Sequence, residues 1–254
     1  MNGLLAKFGR ARAAASPAKP ASWRDEIDPR IVYHVRPRAR RISLKMDSAK
    51  RELIVAVPGS AKKLASARNF AREKNDWIQV QLETLPPAQP FINGGEILFR
   101  GETYQLISTS SRGHPSFDEG TRTINVPAPE GTLEGRTKRF LVRQAREALT
   151  ACTHVHAGAL GKHVGKVSVR DTSSRWGSCV TRRGEGQISY SWRLICAPPF
   201  VLDYVAAHEC AHLVEANHGA GFWALCDELV ETVKPAKRWL NQNGALLHAV
   251  GARF

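Results

Sequence analysis

The chain's 254 residues, 43% of them hydrophobic, suffice for one large core or two modest ones. Lys and Arg outnumber Asp and Glu 37 to 23; the formal net charge of +14 fits a polyanion partner (nucleotide or nucleic acid) and fits plain solubility equally well. No apolar run approaches the length that spans a bilayer, and five cysteines without a C-x-x-C pair disfavour a disulfide framework or a cysteine-rich zinc site, so reduced thiols in the cytoplasm fit best.

Residues 1–22 read as a flexible basic arm. Their opening lacks the apolar core of a signal peptide, and Pro17 and Pro20 follow. Residues 30–130 read as a β-rich N-terminal module with one long helix. Strands are expected over 31–35, 41–45 and 52–57, with the basic cluster Arg36-Pro37-Arg38-Ala39-Arg40-Arg41 as a solvated turn between the first two. Residues 61–85 carry helical spacing, which Pro86 and Pro87 end. Two hairpin-like pieces, 96–107 and 122–126, flank a polar loop over 108–120.

The second half, 137–254, has a different texture. Leu141, Ala145, Ala148, Cys152, Val155 and Ala159 mark a long amphipathic helix. His154 and His156 stand two apart, hence on different faces, and are not assigned to a metal. Strands are expected over 166–170 and 187–194, with 173–179 a tight, packed turn between them. Pro198 and Pro199 suit the start of a helix. Farther on, Phe222, Trp223, Leu225, Cys226, Leu229 and Val233 line another helix that Pro235 stops, and a short last helix carries Trp239 and Leu240 to Gly244.

The helix entered at Pro199 holds His208-Glu209-Cys210-Ala211-His212. Side chains four apart share a helix face, so His208 and His212 can offer two imidazoles to one ion while Glu209 stays free as a base. Its flanks, residues 200–207 and Leu213-Val214, are too apolar for an exposed helix, and histidines buried in such a helix need a partner. A helix end at Asn217-His218-Gly219 would fold His218 back as third ligand and leave a fourth position open; Glu215 competes for that role at helical spacing. Cys210 reads as a small packed side chain, not a ligand.

From about Arg143 to Gly244 the chain resembles the YgjP-like zinc metallopeptidase family, with SprT-like proteases as more distant relatives. The resemblance rests on Ser174-Arg175-Trp176-Gly177-Ser178-Cys179, on Asp203-Tyr204-Val205 leading into the histidine motif, and on Asn217-His218-Gly219 with Phe222-Trp223; Arg40-Arg41-Ile42-Ser43-Leu44 and Trp77-Ile78 extend it into the first half. It departs from the family at Cys210, where leucine is common, and at Tyr190, where a polar residue often lies. The resemblance implies an α+β fold with a zincin-like catalytic domain, one zinc ion per chain held by His208, His212 and His218, and Glu209 as the catalytic base. It further implies a peptide or protein substrate, with nucleoside triphosphate hydrolysis or nucleic-acid-activated proteolysis as competing readings.

In such a site the metal acidifies a water and polarises a carbonyl, and Glu209 takes a proton and returns it to the leaving group. Residues 187–194 are the expected strand for an extended substrate to pair with. Tyr190 and Arg193 are candidates for oxyanion contact but read more readily as structural. Arg175 and Trp176 read as architecture near the site, and Glu215 and Asp203 as candidates for orienting a ligand histidine.

Overall fold

The computed structural model describes residues 21–252 apart from 49, 183 and 184; the expected basic arm lies outside the described residues except at its end, where Ser22 opens a strand. The described residues form two compact units, one of the chain up to Lys45 with Ile54–Asn75, the other of Met46–Leu53 with Asp76 onward. The fold is α+β.

Strands β1 (Ser22–Arg24), β2 (Ile31–Arg36), β3 (Ser43–Asp47) and β4 (Glu52–Pro58) make a sheet in the order β1-β2-β4-β3. Its buried residues include those the apolar pattern marks, Ile31, Val32, Tyr33 and Val35 on β2 with Leu53, Val55 and Val57 on β4. The helix expected over 61–85 is interrupted. A single 3₁₀ turn (Ala61–Lys63) leads into α1 (Leu64–Glu73), the chain leaves helical dihedrals at Lys74 (φ −102°, ψ 12°), and α2 (Asn75–Glu83) follows. Asn75 is a poor helix-interior residue, and it stands at the break.

A second sheet, β5 (Glu96–Phe99), β6 (Glu102–Thr109), β7 (Ser116–Asp118) and β8 (Thr123–Pro127), has the order β5-β6-β8-β7, and β7 falls inside the expected polar loop. The β5–β6 turn is two residues long, Arg100 and Gly101, both with positive φ (52° and 86°), the turn whose twist matches a hairpin. Its tip grips the chain ahead: the Arg100 N–H donates to the Ile195 carbonyl at 2.9 Å and the Gly101 N–H to the Cys196 carbonyl at 3.0 Å. A Cβ at 101 would meet the Pro198 backbone at 2.9 Å, so this approach needs glycine for space as well as for φ.

The long helix α3 (Leu133–Ala159) buries Phe140, Leu141, Ala145, Leu149 and Ala157. A third sheet, β9 (Val164–Arg170), β10 (Gly177–Arg182) and β11 (Glu185–Ser191), has the order β10-β11-β9, with β11 parallel to β9 and antiparallel to β10. Two expectations change here. The turn read over 173–179 gives its last three residues to β10, because Gly177, Ser178 and Cys179 pair with Tyr190, Ser189 and Ile188. The strand read over 187–194 ends at Ser191 and closes in a 3₁₀ turn, Trp192–Cys196.

Helices α4 (Pro199–Ala211), α5 (Ala220–Leu229) and α6 (Val233–Ala249) complete the fold. Pro235 does not stop a helix; it lies in the first turn of α6, where a missing N–H costs nothing, and the last helix is correspondingly longer than expected. One core unites β5, β6, β8, α3, β11 and α4, so the helix that carries the histidines is held from several sides.

Candidate metal centre

Helix α4 is apolar almost all round: Val201, Leu202, Tyr204, Val205, Ala206, Ala207, Cys210 and Ala211 are buried. Such a helix belongs in a core, where its orientation is set by packing. Pro199 at its first position supplies a preset φ and no orphan N–H. Its end comes earlier than the sequence suggests, at Ala211. The last turn tightens as the Leu213 N–H donates to the Cys210 carbonyl and the Val214 N–H to the Ala211 carbonyl, at 2.9 and 3.0 Å. The chain then reverses through residues 212–218, and His218 returns to the face that His208 and His212 share.

Ligand nitrogens of His208, His212 and His218 all lie within 4.8 Å of one another. His208 Nε2 and His218 Nε2 are 3.2 Å apart. Two nitrogens bound tetrahedrally at about 2.0–2.1 Å are separated by about 3.3–3.4 Å, so this spacing suits ligands of a single ion. His212 Nδ1 is 3.0 Å from the Glu215 carbonyl oxygen; that acceptor requires the proton on Nδ1 and leaves Nε2 with a free lone pair. Tyr204 Oη stands 3.4 Å from His208 Nδ1 and orients the first imidazole in a similar, longer contact. Burial, and then the neighbouring imidazoles, pull His208 down to about 4, which keeps it in the neutral form a metal needs. The donor set therefore fits a divalent ion of the zinc type: three imidazoles, two of them oriented through Nδ1, with room for a further ligand.

Phe222 forms the floor. Its ring lies 4.9, 4.5 and 4.6 Å from the rings of His208, His212 and His218. Trp223 stacks on His218 at 5.7 Å, and Lys237 Nζ lies over the Trp223 ring, 3.8 Å from its centroid.

Glu209 is 5% exposed, on the cleft side of α4. Burial pushes its carboxyl up to about 7, with the charge of Arg175 acting in the opposite direction. The cleft itself is lined by the three histidines, Glu209, Arg175 and residues Gly177 to Cys179 of β10, so the Ser174–Cys179 motif stands directly opposite the histidine motif. Trp176 anchors that segment by stacking on His248 of α6 at 4.8 Å, and its carbonyl accepts from the Ser191 N–H at 2.8 Å.

Other candidates take different places. Asp203 does not orient a ligand; its carboxylate is 2.7 Å from His156 Nε2. Glu215 acts on His212, but through its backbone carbonyl, and it is not part of the ligand cluster. Tyr190 is buried with its hydroxyl 2.9 Å from Thr153 Oγ1, and Arg193 is buried and paired with Asp171, so both are structural. Cys210 is a packed thiol against the Thr153 carbonyl, pushed up to about 12 by burial. Tyr204, Phe222 and Gly177 were not anticipated in these roles. Tyr204 was legible, since it precedes His208 by one helical turn; the other two act across the fold.

A family model described as YgjP-like, metallopeptidase domain, matches residues 40–243, most of the chain. No curated protein and no solved structure matches it.

Proposed function

The chain belongs to the YgjP-like metallopeptidase domain family, and from that premise we propose that it is a zinc peptidase with one ion per chain, ligands His208, His212 and His218, and Glu209 as general base. The observation that carries this reading is the gathering of three imidazole nitrogens beside a buried carboxylate in one open cleft.

Zinc held there supplies Lewis acidity towards a carbonyl and lowers the pKa of a water. Glu209 accepts the proton of the attacking water on a carboxylate oxygen and returns it to the leaving amine, a role helped by the low-dielectric surroundings that raise its basicity. The substrate is a peptide or protein in extended form, paired along β10. Strand β11, within the segment 187–194, has β9 on one side and β10 on the other, whereas β10 lies at the sheet edge and lines the cleft. Among the described residues no helix is long and apolar enough to cross a membrane, and a cytoplasmic site of action belongs to the same proposal.

The test is Glu209→Gln. Zinc content is expected to stay at one equivalent while peptide hydrolysis disappears; hydrolysis that survives the substitution refutes the assigned base. Nucleoside triphosphate turnover by the same loaded preparation, with no peptide cleaved, refutes the substrate class.

A further inference from the structure

The third sheet has two unlike faces. Alternation along the strands sends Ile188 and Tyr190 into the core. Their neighbours point the other way, and the register sets them in rows: Ser168, Ser189 and Ser178 lie side by side across all three strands. This outer face is the floor of a groove of about 490 Å³. Lys166 and Arg170 flank Ser168 along β9, at the far end of the serine row, and Arg175 precedes β10 at its cleft end.

Three features define what the groove accepts. Among the described residues no carboxylate lines it. Asp171, next in sequence to Arg170, is held by Lys138 at 2.8 Å and by Arg193, so it does not offset these cations. Among those residues no aromatic ring lines it either, which leaves a nucleobase nothing there to stack on. Finally, Arg175, Gly177 and Ser178 line both this groove and the metal cleft, making the two continuous across the start of β10.

We propose that this groove binds an acid-rich stretch of the substrate, so that the peptidase selects peptides with Asp or Glu clustered to one side of the scissile bond. The proposal rests on the peptidase reading above. Carboxylates complement the site chemically: guanidinium groups take them in paired hydrogen bonds, Lys166 adds a point charge, and the serine hydroxyls donate to the remaining oxygens. The serine row gives the acidic stretch a path, since it crosses the sheet from the cleft side at Ser178 to Ser168 on β9.

The experiment uses the zinc-loaded full chain and matched peptides that carry a run of Glu or a run of Gln on either side of a common cleavage site. The Glu peptide is expected to be cleaved with a kcat/KM about tenfold higher, as one or two charge-assisted contacts provide. That preference should shrink with added salt and approach unity in Lys166→Glu/Arg170→Glu. Should this double variant fail to fold, Lys166→Gln/Arg170→Gln provides the same comparison. A second measurement is hexaglutamate binding to the Glu209→Gln protein, expected to weaken about tenfold with the same pair of changes. Cleavage of both peptides at equal rates without hexaglutamate binding overturns the groove and leaves the peptidase intact. Hexaglutamate binding that depends on Lys166 and Arg170, in a protein that cleaves no peptide, sustains the groove and overturns the peptidase reading. Inorganic tripolyphosphate bound more tightly than hexaglutamate, with no acid preference in cleavage, overturns the peptide as occupant.

Discussion

Gly177 leaves the space that the Glu209 carboxylate fills. A Cβ on residue 177 would stand 2.3 Å from Glu209 Oε1 and 2.6 Å from Cδ and Cγ, closer than any real contact. The tryptophan beside it, Trp176, is fixed by its stacking on His248, so the glycine cannot simply retreat. Gly177→Ala therefore moves the carboxylate, not the strand. A shift of order 1 Å at a catalytic group can cost about 100-fold, and kcat/KM is expected to fall by about that factor or more. Zinc stoichiometry and the melting temperature should change little, which distinguishes a displaced base from a damaged fold. Unchanged kcat/KM would show that the carboxylate has another productive position.

His212→Ala removes the proposed ligand whose tautomer the Glu215 carbonyl sets. Elemental analysis should find one zinc per parent chain and almost none in the variant. In the parent, free zinc at about 100 times its Kd stabilises the native state by about 2.7 kcal/mol, and a chelator reverses the gain. The variant should show no such zinc-dependent shift in melting.

Tyr190→Phe separates structure from catalysis in the central strand. The phenol is buried against Thr153 Oγ1, which also donates to the Leu149 carbonyl at 2.6 Å. Loss of this one buried hydrogen bond is expected to cost about 1 kcal/mol in a urea titration, with kcat within about twofold of the parent. A large fall in kcat at unchanged stability would return Tyr190 to the oxyanion role.

Burial of His248 against Trp176 makes stability depend on pH. Burial, reinforced by the charge of Arg193, pulls the His248 imidazole down to about 4 from its ordinary 6.5. Between those values the unfolded chain binds the proton and the folded chain does not, so this contribution to stability is complete above pH 6.5 and is lost as pH falls towards 4. Denaturant midpoints measured from pH 7 to pH 4.5 should fall for the parent and fall less steeply for His248→Leu. Parallel slopes would mean that His248 is not the titrating group.

The helix that carries His208 and His212 was legible in the sequence because its signals are local. The i, i+4 spacing of His208 and His212, the apolar flanks and the entry prolines all act within one or two helical turns, where backbone periodicity alone decides which side chains meet. The same is true of β2, β4 and β9, whose apolar patterns match their observed spans closely. Tertiary structure alone decided what lies across the cleft. Gly177 meets Glu209 from a strand 32 residues away, read from sequence as a turn because small residues signal turns unless a neighbour pairs with them. Phe222 comes under three imidazoles only after the chain reverses, and Asp203, one turn before the motif, serves His156 on α3 instead of a ligand histidine. Strand order, which leaves β10 at the edge and exposes the serine row, follows from packing energies summed over distant segments, and no window of sequence contains that sum.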